Sequence, residues 1–175
     1  MSQWRTVFLE TRPPFLLLSV VVVSLGTAVA WHDGFFNPLF FALTLAGVLL
    51  AHISVNVLND YFDYRSGLDQ EIAKAGKRTP FSGGSGLLPS KAISPGRTLW
   101  MGVLSLVLAA PIGVYFLHLR GLMLLPLVLT AAVTVVLYTP MFSRLYLGEF
   151  LAGLNFGPLA VLGTYVVQTG SYGTG

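Results

Sequence analysis

Cysteine is missing from all 175 residues, so neither a disulfide nor a thiolate metal site can be built, and the redox compartment leaves no trace. Charge is scarce as well. Only 10% of residues are Asp, Glu, Lys or Arg, against ~25% in a soluble domain. Acidic residues are the scarcest: there are seven, and no Asp follows Asp69. A soluble enzyme with a charged surface is thereby excluded. What fills the space is apolar: 54% of residues are hydrophobic and the mean hydropathy is +0.75. These values describe an integral membrane protein. The net charge of +3 requires no nucleic-acid partner, because its distribution follows membrane topology. The N-terminal segment lacks a small-residue cleavage pattern, so the first apolar run reads as a retained span.

The apolar runs predict five spans: about Pro14 to Trp31, Pro38 to Leu58, Pro95 to Leu117, Leu122 to Tyr138, and Glu149 to Gln168. Each approaches the ~20 residues that cross a bilayer. Met1 to Arg12, with Trp4, Arg5, Glu10 and Arg12, reads as an amphipathic lead lying in the interface. Pro111 predicts a kink in the third span. Gly153, Gly157 and Gly163 predict close helix contacts in the fifth. The whole of 1–175 reads as a single membrane domain. A polar segment from Tyr64 to Ser94 is long enough to expect a functional loop over the site. Within it, Gln70 to Lys77 suits a short helix, and Gly83 to Gly86 reads either as an anion-binding nest or as a flexible turn. Nine of the ten Lys and Arg residues fall on the N-terminal side of this topology, with Arg120 alone opposite. The positive-inside bias therefore predicts a cytoplasmic N-terminus.

Chemistry concentrates at the end of the second run, from Asn56 to Asp69. Asn56, Asp60 and Asp63 recur at i, i+4, i+7. At ~100° per residue they share an arc of ~60°, so their oxygens face one space. Gly67 is placed to end the helix and let Asp69 fold back toward them. Carboxylates crowded on one face near lipid call for a positive partner. Hard oxygen donors without Cys or His suit Mg2+, which commonly shares its coordination with substrate phosphates. The metal set read here is Asn56, Asp60, Asp63 and Asp69, with the three Asp as the catalytic acids. The plain alternative is a polar helix end re-entering water. Arg65, Lys77 and Arg78 are the nearby cations suited to a diphosphate, or else to lipid headgroups. Asn155 and Gln168 are polar within a span, and His52 lies one turn before Asn56; all three suit the bundle interior.

Asn59-Asp60-Tyr61-Phe62-Asp63, with Asn56 ahead and Asp69 displaced beyond Ser66-Gly67, resembles the first aspartate motif of the UbiA superfamily of intramembrane prenyltransferases. Gly157 to Gly170 is similar to the fifth helix of the 1,4-dihydroxy-2-naphthoate prenyltransferase type, and Tyr138-Thr139 and Gly148-Glu149 fit as well. The resemblance implies an all-α bundle of about nine helices, of which this chain holds the N-terminal five. It implies Mg2+-dependent transfer of a polyprenyl group from its diphosphate to an aromatic acceptor, with 1,4-dihydroxy-2-naphthoate in menaquinone synthesis as the expected acceptor. It places Tyr138 near the acceptor ring, although an interfacial tyrosine explains that position too. It implies a cell inner-membrane location. The family's second aspartate motif has no counterpart here, so the expectation is a fragment, or a half that needs a C-terminal partner, inactive alone. The competing readings are a UbiA-type transferase with another acceptor, and a transporter fragment or scaffold subunit with an ion site.

Overall fold

The architecture follows from where helices are allowed to start and stop. In the computed structural model, which describes residues 2–76, 84–137 and 148–173, all the regular elements are helical. Helix α1 is Gln3–Glu10, and α2 is Pro13–His32. Helix α3 runs from Pro38 to Ser66. It starts sharply because Asn37 accepts hydrogen bonds from the Leu39 and Phe40 amides, while Pro38 at the first helical position has no N–H to satisfy. It stops at Gly67, whose φ of +85° closes the last turn. The same logic opens α5, Pro95–Arg120, where Ser94 caps the Arg97 amide and Pro95 follows. Between them lies α4, Leu68–Lys74, close to the short helix expected from Gln70.

Helix α6 covers Leu125–Leu137 after a single 3-10 turn, Gly121–Met123. The last span is broken. Helix α7, Gly148–Leu154, passes through a π-turn at Asn155–Leu159 into α8, Ala160–Thr169. The break sits at Gly157-Pro158, where Gly157 takes non-helical angles and Pro158 cannot donate. Pro111, by contrast, stays inside one continuous α5. Four of these stretches are long and apolar enough to cross a membrane: Pro13–His32, Pro38–Ser66, Pro95–Met123 and Phe150–Thr169. The fourth expected span, Leu122 to Tyr138, is represented among the described residues by the shorter α6.

Among the described residues the expected close contacts are missing at Gly153 and Gly157, while a Cβ on Gly163 would be in ordinary contact with Leu127, 3.9 Å away. A Cβ on Gly153 or Gly157 would meet open space. The tight crossing is instead between α2 and α8, where a Cβ on Gly26 would lie 2.5 Å from the Val161 carbonyl. Small residues pack where backbones must touch, and in α8 the partner of that glycine is Val161-Thr164 rather than another glycine.

Two apolar clusters hold the ends. Phe116, Leu124, Val166 and Val167 are buried at one end. There Arg120 donates to the Val167 and Gln168 carbonyls, and Gln168 exchanges two hydrogen bonds with the Asn37 backbone. At the other end Leu87, Leu88 and Ile93 pack with Tyr64 and Met101. The second half of the polar loop is therefore a packed plug at the acidic end of α3. Leu17, Leu18, Val21 and Leu25 on α2, and Leu104, Val107 and Leu108 on α5, face outward. That is the expected exposure for helices whose solvent is lipid.

Candidate functional site

The acidic end of α3 meets the start of α2. Asp60 is 1% exposed. Its Oδ2 accepts the Ser85 backbone N–H at 2.6 Å, and its Oδ1 lies 3.8 Å from Arg12 Nη1. A buried carboxylate is costly without such partners. Arg12 is held for this contact by its backbone. It precedes Pro13 and sits in the left-handed region at φ 56°, a conformation that costs roughly 1 kcal/mol or more for a residue with a side chain. The guanidinium also lies over the Phe15 ring, 4.4 Å from its centroid. Asn56 contributes by donating its amide N–H to the Thr11 carbonyl at 3.1 Å. That bond pins the residue before Arg12.

Asp63, one turn further, accepts from Asn59 Nδ2 at 2.8 Å. Asp69 is buried in the first turn of α4, just past Gly67. Among the described residues, however, no three His, Asp or Glu side chains converge as a metal-holding group. The donor chemistry still fits Mg2+, with hard oxygens on Asp60, Asp63 and Asn56 along one helical face. Arg65 is exposed in the last turn of α3. Lys77, Arg78 and Tyr138 lie outside the described residues.

The turn at Gly84–Gly86 is neither a vacant nest nor a loose loop. Gly84 has φ +67°, and a Cβ there would lie 2.9 Å from Asp60 Oδ1. The anion this turn receives is the Asp60 carboxylate. Two participants were missed by sequence reasoning. Arg12 was assigned to the interface, though an Arg-Pro-Pro step directly ahead of a span was a signal available to find it. Glu10 was also read as interfacial, yet it is 0% exposed and accepts a 2.7 Å hydrogen bond from Ser85 Oγ. Burial pushes its carboxyl up to about 7, helped by the Asp60 charge and opposed by the Ser85 hydrogen bond.

His52, one turn deeper than Asn56, is buried and shares a 2.8 Å hydrogen bond with Ser19 Oγ. Its ring rests on Phe156, at the π-turn, with centroids 4.1 Å apart. Asn155, in the same turn, donates to Thr134 Oγ1 and to the Leu151 carbonyl. Asn155 and His52 thus face other helices of the bundle, as expected.

The sequence profile of the UbiA prenyltransferase family matches residues 17–174. The chain belongs to that family. It is 30% identical over 169 residues to UbiA prenyltransferase domain-containing protein 1 of Rattus norvegicus, covering 93% of this chain and 47% of that protein. The homologue of that protein in Drosophila melanogaster is 31% identical over 176 residues, covering 95% and 46%. The 1,4-dihydroxy-2-naphthoate octaprenyltransferase of Bacillus subtilis (strain 168) is 29% identical over 168 residues, covering 91% and 50%. This UbiA chain thus spans about half the length of the relatives it matches. No solved structure matches it.

Proposed function

We propose that the Arg12–Asp60 end of this chain binds the diphosphate of a polyprenyl diphosphate, and that the protein transfers the prenyl group to an aromatic acceptor. The observation that carries the reading is a buried acid paired with a half-buried cation, at the mouth of a bundle whose helices are long and apolar. An isoprenoid tail lies between such helices, and its charged head stays at the polar end. Asp60 and Asp63 would hold Mg2+, with Asn56 Oδ1 and Asp69 completing the protein's share. When bound, Mg2+ neutralises charge that builds on the diphosphate as the C–O bond breaks. Arg12 adds a fixed guanidinium suited to phosphate oxygens, and Arg65, Lys77 and Arg78 are the further cations we assign to that head group. Prenyl transfer breaks one C–O bond, forms a bond to a ring carbon, and releases a proton from the ring.

The acceptor we favour is 1,4-dihydroxy-2-naphthoate, the substrate in the Bacillus relative's name, with Tyr138 beside the ring. The similarity to UbiA prenyltransferase domain-containing protein 1, whose name specifies no acceptor, is equally strong, and transfer to another acceptor on the same site is the second reading. We assign this site to the cytoplasmic face of the inner membrane, an orientation that the positive-inside bias supports. We assign a second acidic group, which would hold a further Mg2+ against the leaving group, to a C-terminal half that carries a second Asp motif.

The test is incubation with Mg2+, labelled polyprenyl diphosphate and dihydroxynaphthoate, with and without a polypeptide bearing the second motif. Prenylated naphthoate is expected only when both halves are present. Product from the 175 residues alone would contradict the need for the second group. Prenyl diphosphate turned over in neither arm, and bound in neither, would contradict the function.

A further inference from the structure

Glu10 lies at the heart of this end of the molecule, yet it belongs to no aspartate motif. It is the last residue of α1, with its side chain fully buried, and Oε2 accepts from Ser85 Oγ at 2.7 Å. The same hydroxyl accepts the Leu87 amide at 3.2 Å, and the Ser85 backbone N–H donates to Asp60 Oδ2 at 2.6 Å. One serine thus joins the N-terminal helix to the motif acid. Its hydroxyl proton is committed to Glu10, which leaves its lone pairs to receive Leu87.

We propose that Glu10 is a positioning residue: through Ser85 it seats the Gly84–Gly86 turn on Asp60 and so fixes the orientation of the Asp60 carboxylate. With Ser85 on Oδ2, the Oδ1 side is the one turned toward Arg12. A residue needed only for packing would be apolar, since a buried carboxyl is costly and only an acceptor can orient the serine. Helix α1 adds a second consequence. Its opposite face carries Trp4, 85% exposed, and Phe8, so the seating of α1 at the membrane interface reaches Asp60 through Glu10 and Ser85 as well as through the Arg12 contact. The role assigned to Asp60 rests on the diphosphate reading above.

The experiment uses the purified 175-residue chain in detergent, with Glu10→Ala, Glu10→Gln, Ser85→Ala and the Glu10→Ala/Ser85→Ala double variant. Two quantities are read: amide hydrogen exchange of the 84–88 segment, and Mg2+-dependent binding of geranylgeranyl diphosphate. Glu10→Ala should raise exchange of the segment about tenfold and weaken binding by a similar factor, since loss of the hydrogen bond to the carboxyl frees the whole turn. Glu10→Gln keeps an acceptor and should stay within about threefold of wild type on both. The double variant should add little to either single, because the two side chains act on one contact. Unchanged exchange in Glu10→Ala would overturn the proposal. So would raised exchange with unchanged binding, since the contact would then be structural only, and so would Gln being as damaging as Ala. If Glu10→Ala does not fold, Ser85→Ala carries the comparison. If wild type binds no prenyl diphosphate, the diphosphate reading fails, while the exchange data still decide whether Glu10 seats the turn.

Discussion

Arg12 Nη1 and Asp60 Oδ1 stand 3.8 Å apart, the cation contributed by the step into α2 and the acid by the far end of α3. The contact closes the polar end of two apolar helices and sets the charge a ligand meets there. Removing one partner of a buried pair leaves the other uncompensated, and that is costly.

Arg12→Ala should therefore lower stability by up to about 3 kcal/mol. Adding Asp60→Asn should recover most of the loss, because the stranded charge is then gone. Thermal unfolding of the two singles and the double variant checks this. Additive losses would mean that the two residues do not act as a pair.

Gly84→Ala should be more damaging than Gly76→Ala. Both glycines have positive φ, +67° and +62°, but a Cβ at Gly76 meets open space, whereas at Gly84 it meets Asp60 at 2.9 Å. Backbone strain alone predicts about 1 kcal/mol for each. The excess at Gly84 measures the clash, and equal melting temperatures would show that the turn does not rest on Asp60.

Glu10 should make stability pH-dependent. Its carboxyl sits at about 7 in the folded protein, against an ordinary 4.5 in the unfolded chain. Between those values the folded state holds a proton that the unfolded state has released. Stability from this group is thus full below about 4.5 and falls as pH rises toward 7, by on the order of 3 kcal/mol at full ionisation. Glu10→Gln should flatten that slope. Unfolding midpoints measured from pH 4 to pH 8 provide the check, and a slope unchanged in the Gln variant would contradict it.

How much of this was legible depends on whether the signal is local. The span starts were readable because Asn37-Pro38 and Ser94-Pro95 each combine a side-chain acceptor with a residue that has no N–H. The end of α3 was readable from Gly67. The shared face of Asn56, Asp60 and Asp63 was readable because helical periodicity alone dictates it. Glu10 was not, since a carboxylate in a segment with Trp4 and Arg5 reads as solvated, and its partner Ser85 lies far along the chain. The packing glycine was misplaced for the same reason. Gly153 and Gly157 show small-residue spacing, but only the tertiary crossing at Gly26 decides which backbone approaches which. Lys77 and Arg78, read from their charge beside the acidic motif, and Tyr138 stay proposals, since all three lie outside the described residues.

The opposite end should behave independently of the site. Arg120 donates to the Val167 carbonyl at 2.6 and 2.9 Å and to the Gln168 carbonyl at 3.2 Å, closing the C-terminus of α8. Arg120→Ala should cost about 2 kcal/mol through lost charge-assisted bonds to helix-end carbonyls. Its melting temperature should fall while prenyl diphosphate affinity stays put. A parallel loss of affinity would show that the two ends are coupled.

The central claim is that Asp60 and its neighbours hold a prenyl diphosphate with magnesium. It is tested most directly by equilibrium binding of labelled geranylgeranyl diphosphate to the purified chain, in Mg2+ and in EDTA, for wild type and Asp60→Asn. The account predicts saturable binding in Mg2+ that falls at least about tenfold both on chelation and in Asp60→Asn, consistent with losing a metal-bridged phosphate contact. Binding that is unchanged by EDTA and equal in the two proteins would contradict it.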